Sequence, residues 1–307
     1  MTLVVGFAPE GRSRAALHFA GSLARSAGED VVVCAVVPVP WPPGPARVDA
    51  EYRDHLEHAA REALEEARAR LPADLDADFV VEHARSAPAG LLDVAEARSA
   101  EAIVVGSSSV GALGRVSLGS ASDRLVHSSP IPVALAPRGY RCAADTGVRR
   151  VTAAFGGTGG ADDLALAAAG LTARLGASLR LASFAVRPRA PYTAGVGRIG
   201  DEAAVEEWVE AIRAAADTAL AEVREHVPQA PEVLDAVIGR GETWDEAIED
   251  VEWEDGDFLV VGSSSIGPVR RVFLGSRASK IVRNSPVPVA VVPRGAAAEL
   301  AERAEHP

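Results

Sequence analysis

Gly106, Ser109, Gly119 and Ser120 recur further along the chain as Gly262, Ser265, Gly275 and Ser276, with the spacing G-x2-S-x9-G-S in both places. Glycine lets a chain turn with positive φ and lets a ligand come close to the backbone. A Gly-Ser pair opening a helix offers free backbone N–H groups, a hydroxyl and the positive end of the helix dipole. Together these suit a phosphate. The same residues also suit a plain strand-to-helix turn with a capped helix, and spacing alone leaves both readings open. One rival is excluded. Residues 106–111 and 262–267 begin like a P-loop, GxxxxG, but continue as Ala112-Leu113 and Pro268-Val269, without the lysine and the magnesium-binding hydroxyl.

Other chemistry finds less support. A hydrolase needs a general base within reach of the attacking water, and no carboxylate or histidine stands out at equivalent positions of the two copies. His127 becomes Arg283. His55 and His58 are three residues apart on a charged segment, but no third ligand joins them at a metal-binding spacing. They are read as surface residues, and no metal site is expected.

The elements that would position the repeated residues are themselves repeated. Residues 103–139 and 259–295 align without a gap at an offset of 156, and more than half of the positions are identical. Each copy reads as a buried strand, a Gly/Ser-rich loop, a short helix, and a last strand bracketed by prolines. That layout places the loop at the carboxyl end of a parallel strand. Arg115 and Arg271 fall within the loop of each copy, as phosphate partners or as solvated residues.

Before each copy, strands and helices alternate. Apolar runs at 3–7, 31–37 and 79–81 read as strands, and the i, i+3, i+4, i+7 pattern of Ala16, Phe19, Ala20 and Leu23 reads as a helix. A charged helix over 49–71 and a helix carrying Leu91, Val94 and Ala95 complete the first half. The same order resumes with strands at 151–155, 179–186 and 233–238. Five strands per half, joined by right-handed crossovers, require a mainly parallel sheet with helices on both faces. The expected organisation is domain 1 over 1–139, a linker over 140–149, domain 2 over 150–295 and a frayed helical tail over 296–307. Each half is expected to be independent, with its own core.

Composition bounds the partners. The 307 residues carry a net charge of −12, with no basic stripe to meet a polyanion, so nucleic acid is excluded as a partner. Cys34 and Cys142 are the two cysteines, one in an apolar strand and one in the linker, which argues against a disulfide framework. No basic-then-apolar leader and no membrane-length apolar run are visible. A cytoplasmic location is expected by elimination, with no membrane partner.

With these motifs and the five-strand order in hand, the chain resembles the universal stress protein family, in the tandem two-domain form common in actinobacteria. The resemblance rests on VVGSSS…LGS…SP.PVA..PRG in both halves and on VGFAPEGRSRAAL at the start, and it covers nearly the whole chain. It implies two doubly wound α/β domains with Rossmann-like five-stranded parallel sheets of order 3-2-1-4-5. It implies ATP or AMP across the first and fourth strands, with magnesium accompanying ATP, held by G-x2-G-x9-G-(S/T). Carried over by position, Gly106, Gly119 and Ser120, and Gly262, Gly275 and Ser276, would hold phosphate and ribose, with Ala121 and Arg277 following. Val105 and Val261 would lie by the nucleotide and Val36 would wall the base.

Two departures weaken that site. Ser109 and Ser265 stand where the family has its second motif glycine. The aspartate that follows the first strand in nucleotide-binding members is replaced by Ala8, and by Gly156 or Gly157 in the second half. A lost hydrogen bond to a charged acceptor costs roughly 1.5–3 kcal/mol, and a left-handed serine about 1–2 kcal/mol. Together these amount to about two to three decades in affinity. Three readings follow: a stress-response regulatory protein with weakened nucleotide sites, an adaptor on the same fold with an unnamed protein partner, or a slow ATPase. The apolar last strands, 132–136 and 288–292, are unprotected sheet edges. They are expected to pair antiparallel within the chain as a covalent pseudo-dimer, with further self-association left open.

Overall fold

The fold comes from a computed structural model that describes residues 2–8, 13–39, 46–72, 74–108, 110–143, 146–157, 161–187, 198–228, 234–263 and 274–305. Its first half runs β1 (Thr2–Gly6), α1 (Arg14–Ala27), β2 (Asp30–Pro38), α2 (Ala46–Arg68), β3 (Ala77–Ala84), α3 (Ala87–Ala97), β4 (Ala102–Gly106), α4 (Ser120–Ser128) and β5 (Val133–Ala136). The second half repeats the order with β6 (Arg150–Ala154), α5 (Ala161–Leu175), β7 (Ser178–Val186), α6 (Arg198–His226), β8 (Leu234–Gly241), α7 (Trp244–Glu249), β9 (Asp257–Gly262), α8 (Ser276–Asn284) and β10 (Val289–Val292). A last helix, α9 (Arg294–Glu305), follows.

Local chemistry sets the boundaries. Gly28, at φ +66°, ends α1 in the left-handed conformation that glycine adopts without strain. The Ser86 hydroxyl accepts from the Ala89 N–H at 3.4 Å to cap α3, and the Thr243 hydroxyl accepts from the Glu246 N–H at 3.2 Å to cap α7. The strand read at 79–81 extends to eight residues, because its polar flanks pair with β2 along the whole edge.

The strand order is β3-β2-β1-β4-β5-β10-β9-β6-β7-β8, which is the order 3-2-1-4-5 twice, joined tail to tail. All pairs within a half are parallel, and β5 pairs with β10 antiparallel. Ala134 faces Ala290, its own repeat counterpart, while Val133 faces Val291 and Leu135 faces Val289. The pseudo-twofold axis therefore passes through the Ala134–Ala290 pair. Such pairing satisfies the backbone groups of two short edge strands that would otherwise stay open.

Each half forms the expected five-stranded parallel layer, and the sheet and both cores continue across the seam. Strand side chains alternate between faces, so Val104 enters one core while Ile103 and Val105 enter the other. Each core spans both halves. The first is covered by α1, α2, α5, α6 and α9, and the second by α3, α4, α7 and α8. Phe19 of α1 packs on Phe258 of β9 with ring centroids 5.0 Å apart, and Tyr140 meets Phe19 edge to face at 6.1 Å. The segment read as a linker is thus anchored. The Val148 N–H donates to the Ser26 hydroxyl at 2.8 Å, and the Cys142 thiol donates to the His18 carbonyl at 3.2 Å.

The tail is a helix, as its composition suggests, and it is docked rather than frayed. Ala297, Ala301 and Ala304 line one stripe of α9 and are buried against α5, where Gly170 admits close approach: a Cβ there would lie 2.6 Å from that of Ala304. Small residues on both helices allow that fit. Among the described residues, no helix is long and apolar enough to cross a membrane.

Candidate functional site

In an order of 3-2-1-4-5 the connections reverse direction between β1 and β4, and a crevice opens there at the carboxyl ends. The loop from Gly106 to Gly119 leaves β4 at this point. Its first serine holds the turn. The Ser107 N–H and hydroxyl both donate to the Ala136 carbonyl, at 3.0 and 2.8 Å, and the same hydroxyl accepts from the Ser117 N–H at 3.2 Å. The Ser108 N–H donates to the Ser117 carbonyl at 2.7 Å, which folds the loop back on itself. Gly111 is needed for this closure, since a Cβ would stand 2.2 Å from that of Ser117. Arg138 closes the far side, its guanidinium donating to the Gly111 carbonyl at 2.5 Å.

Gly119 is the N-cap of α4, with φ −86°, and its N–H donates to the Ser122 hydroxyl at 2.8 Å. Ser120 is exposed and Ala121 half-buried at the helix N-terminus. Asp123 places a negative charge in that first turn. The second half differs in charge. Gly275 is again the N-cap, but α8 has no acidic residue in its first turn and carries Arg277 there instead. A phosphate is therefore favoured more at α8 than at α4, by helix dipole and side-chain charge together.

Gly262 ends β9, and the Ser263 N–H donates to the Val292 carbonyl at 2.9 Å, the counterpart of the bond made by Ser107. Ser109, Ser265 and Arg271 lie outside the described residues. Val105 and Val261 are buried in the core on the α3/α7 face rather than open to the crevice. A Cβ on Gly6 would stand 3.1 Å from Val105 and 2.9 Å from Leu91, so β1 ends beneath α3. Val36 is half-buried and lies under the same helix, where Gly90 gives it room.

The candidate positions for the missing aspartate, Ala8, Gly156 and Gly157, are not all alike. Ala8 is exposed, with its N–H donating to the Ser13 hydroxyl at 2.9 Å, and an aspartate there would meet solvent. Gly157 has φ +63°, and a Cβ would lie 2.4 Å from Ile212 of α6. A side chain at Gly157 is therefore strained, whereas Gly156, which follows Phe155 as Ala8 follows Phe7, is exposed and free of positive φ.

One contact of the loop was not legible from spacing. Arg115 was read as a phosphate partner or a solvated residue, yet it ion-pairs with Asp245 at 2.8 Å and with Glu249 of α7 in the other half. Asp245 and Glu249, four apart on one helix face, were the available signal. The pair ties the loop after β4 to α7 of the second half. Arg115→Gln is expected to raise amide exchange in residues 108–117 and to lower stability by about 0.5–1 kcal/mol. Unchanged exchange there would show that the loop is held by its own hydrogen bonds alone.

Comparison with known proteins gives a consistent result. The model of the Universal stress protein family matches residues 1–137 and again 147–293. Universal stress proteins of Mycobacterium tuberculosis and Mycobacterium bovis are each 40% identical over 298 residues, spanning 95% of this chain and 100% of theirs. Among solved structures, a universal stress protein from Archaeoglobus fulgidus aligns with a TM-score of 0.63 at 20% identity. That alignment covers 96% of this chain and 98% of that one, and it reports on the fold.

Proposed function

The chain belongs to the universal stress protein family, and we propose that it is a stress-response regulatory protein with a weakened adenine-nucleotide site in each half. The observation that carries this reading is a strand end and a glycine-capped helix N-terminus at the same place in each half, joined by the same Gly/Ser sequence, beside each reversal of strand order. ATP or AMP is the proposed ligand, with Mg2+ accompanying ATP. Phosphates would lie against the amides at the starts of α4 and α8, with Arg277 adding charge in the second half. The missing carboxylate after β1 and β6 removes one acceptor for the adenine amino group. That loss makes phosphate and ribose contacts the main source of affinity.

Isothermal titration with ATP, AMP and ADP tests the reading. Saturable binding is expected, and Gly119→Val together with Gly275→Val abolishes it. The fold tolerates a side chain at Gly119, whose φ is −86° and whose added Cβ would lie at an ordinary 3.4 Å from that of Ser108. Ala8→Asp with Ser109→Gly is expected to tighten ATP binding by about tenfold or more. No saturable heat in the parent protein and no gain in the restored variant would leave the adaptor reading. A specific feature favours that alternative: Val110 and Leu113, at 91% and 76% exposure, form an apolar tip on the same loop.

A further inference from the structure

The seam between the halves is packed differently on its two faces. Toward α3, α4, α7 and α8 it presents Val133, Leu135, Val289 and Val291, which fill the space. Toward α1, α5 and α9 it presents Ala134 opposite Ala290, and α5 answers with Ala167, Ala168 and Gly170. Small residues facing small residues leave a cavity of about 390 Å³, bounded by the seam strands, α1, α5 and α9. Protein interiors are close-packed, and an unfilled apolar volume of this size is a standing cost to the fold. It lies instead in the range of ligand pockets, about 300–1,000 Å³.

The walls are apolar, and the charged groups sit at one mouth: Glu29, Glu101, Arg174 and Arg303. Arg174 is engaged by both carboxylates, pairing with Glu29 and with Glu101 at 2.7 Å. Arg303, on α9, is 63% exposed and lies 3.8 Å from Glu101, too far for a hydrogen bond. Among the described residues it is the cation at this mouth with capacity to spare. We propose that the cavity binds a medium-chain aliphatic carboxylate, its tail lying under the Ala134–Ala290 pair and its head group at Arg303. The site is distinct from the glycine-serine loops, which open at the carboxyl ends of β4 and β9. It does not depend on nucleotide binding there.

Titration calorimetry of the full chain with octanoate, and with octan-1-ol as the uncharged match, tests this. Octanoate is expected to bind saturably, one per chain, and to raise the melting temperature. Ala168→Leu, which narrows the cavity beside the Ala134–Ala290 pair, weakens binding of both compounds. Arg303→Gln leaves the walls intact and weakens octanoate roughly fivefold while leaving octanol unchanged. Absence of saturable octanoate binding in the parent protein would overturn the proposal. So would an Arg303→Gln variant that binds both compounds as the parent does. If Ala168→Leu fails to fold, the Arg303→Gln comparison decides alone.

Discussion

Asp257→Ala is expected to remove about 3–5 kcal/mol of stability, the usual cost of taking one partner from a buried ion pair. Asp257 is 4% exposed at the start of β9. Its two carboxylate oxygens accept from Arg150 at 2.9 and 2.7 Å, and one of them also accepts from the Glu254 N–H at 2.9 Å. Arg180, equally buried on β7, donates to the Thr152 hydroxyl and to the Val251 and Glu252 carbonyls, and lies over the Trp253 ring. Its Nη2 has no hydrogen-bond acceptor among the described residues; it lies 3.6 Å from the Asp257 carboxylate. Burial, and then the Arg150 charge, push the Arg180 guanidinium below its ordinary pKa. The Asp257 carboxylate opposes both effects in part, so its removal leaves a buried cation without its nearest carboxylate. Urea denaturation should show a lower midpoint with an unchanged slope. The control is Arg240→Gln, at an exposed pair with Glu206, where the loss should stay below about 1 kcal/mol. A loss as small for Asp257→Ala would mean that water reaches Arg180.

That network shows where the sequence stops being readable. Residues equivalent by strand register to Arg150, Arg180 and Asp257 in the first half are Thr2, Val32 and Glu101, so no repeat flags the cluster. Nothing in the spacing of 150, 180 and 257 brings three strands together. The fold itself was legible because its signals are local and doubled: apolar runs set the strands, and proline-bracketed runs with no blunting lysine mark β5 and β10 as edges that must pair. What escaped depends on two distant stretches meeting. The docking of α9 was present as alanines at 297, 301 and 304, but the glutamates between them read as a solvated tail. The clamp of Arg115 on α7 needed the pseudo-twofold arrangement before its acidic partners came into view. At the loops, the glycine and serine spacing located the turn and the helix N-terminus. It did not reveal that Asp123 and Arg277 give the two helix starts opposite charge.

Val133→Lys together with Val289→Lys should unfold both halves in one transition. Both valines are buried on the same face of the seam, at 1% and 0% exposure, beside partners across the β5–β10 pairing. Desolvating an unpaired ammonium there costs several kcal/mol for each lysine, a large part of the stability typical of a whole domain. If each half kept its own core, the chain would separate at the seam and leave two folded five-stranded units. Packing predicts otherwise. Phe19 of the first half rests on Phe258 of the second, and α9 closes the face that both halves share. Opening the seam exposes both cores at once, so the loss should be cooperative. Hydrogen exchange should lose protection across β1 and β6 as well as at β5 and β10, and calorimetry should show a single lowered peak. Two resolved peaks, with one half retaining the parent melting temperature, would establish that the domains stand alone and that the seam is only a contact between them.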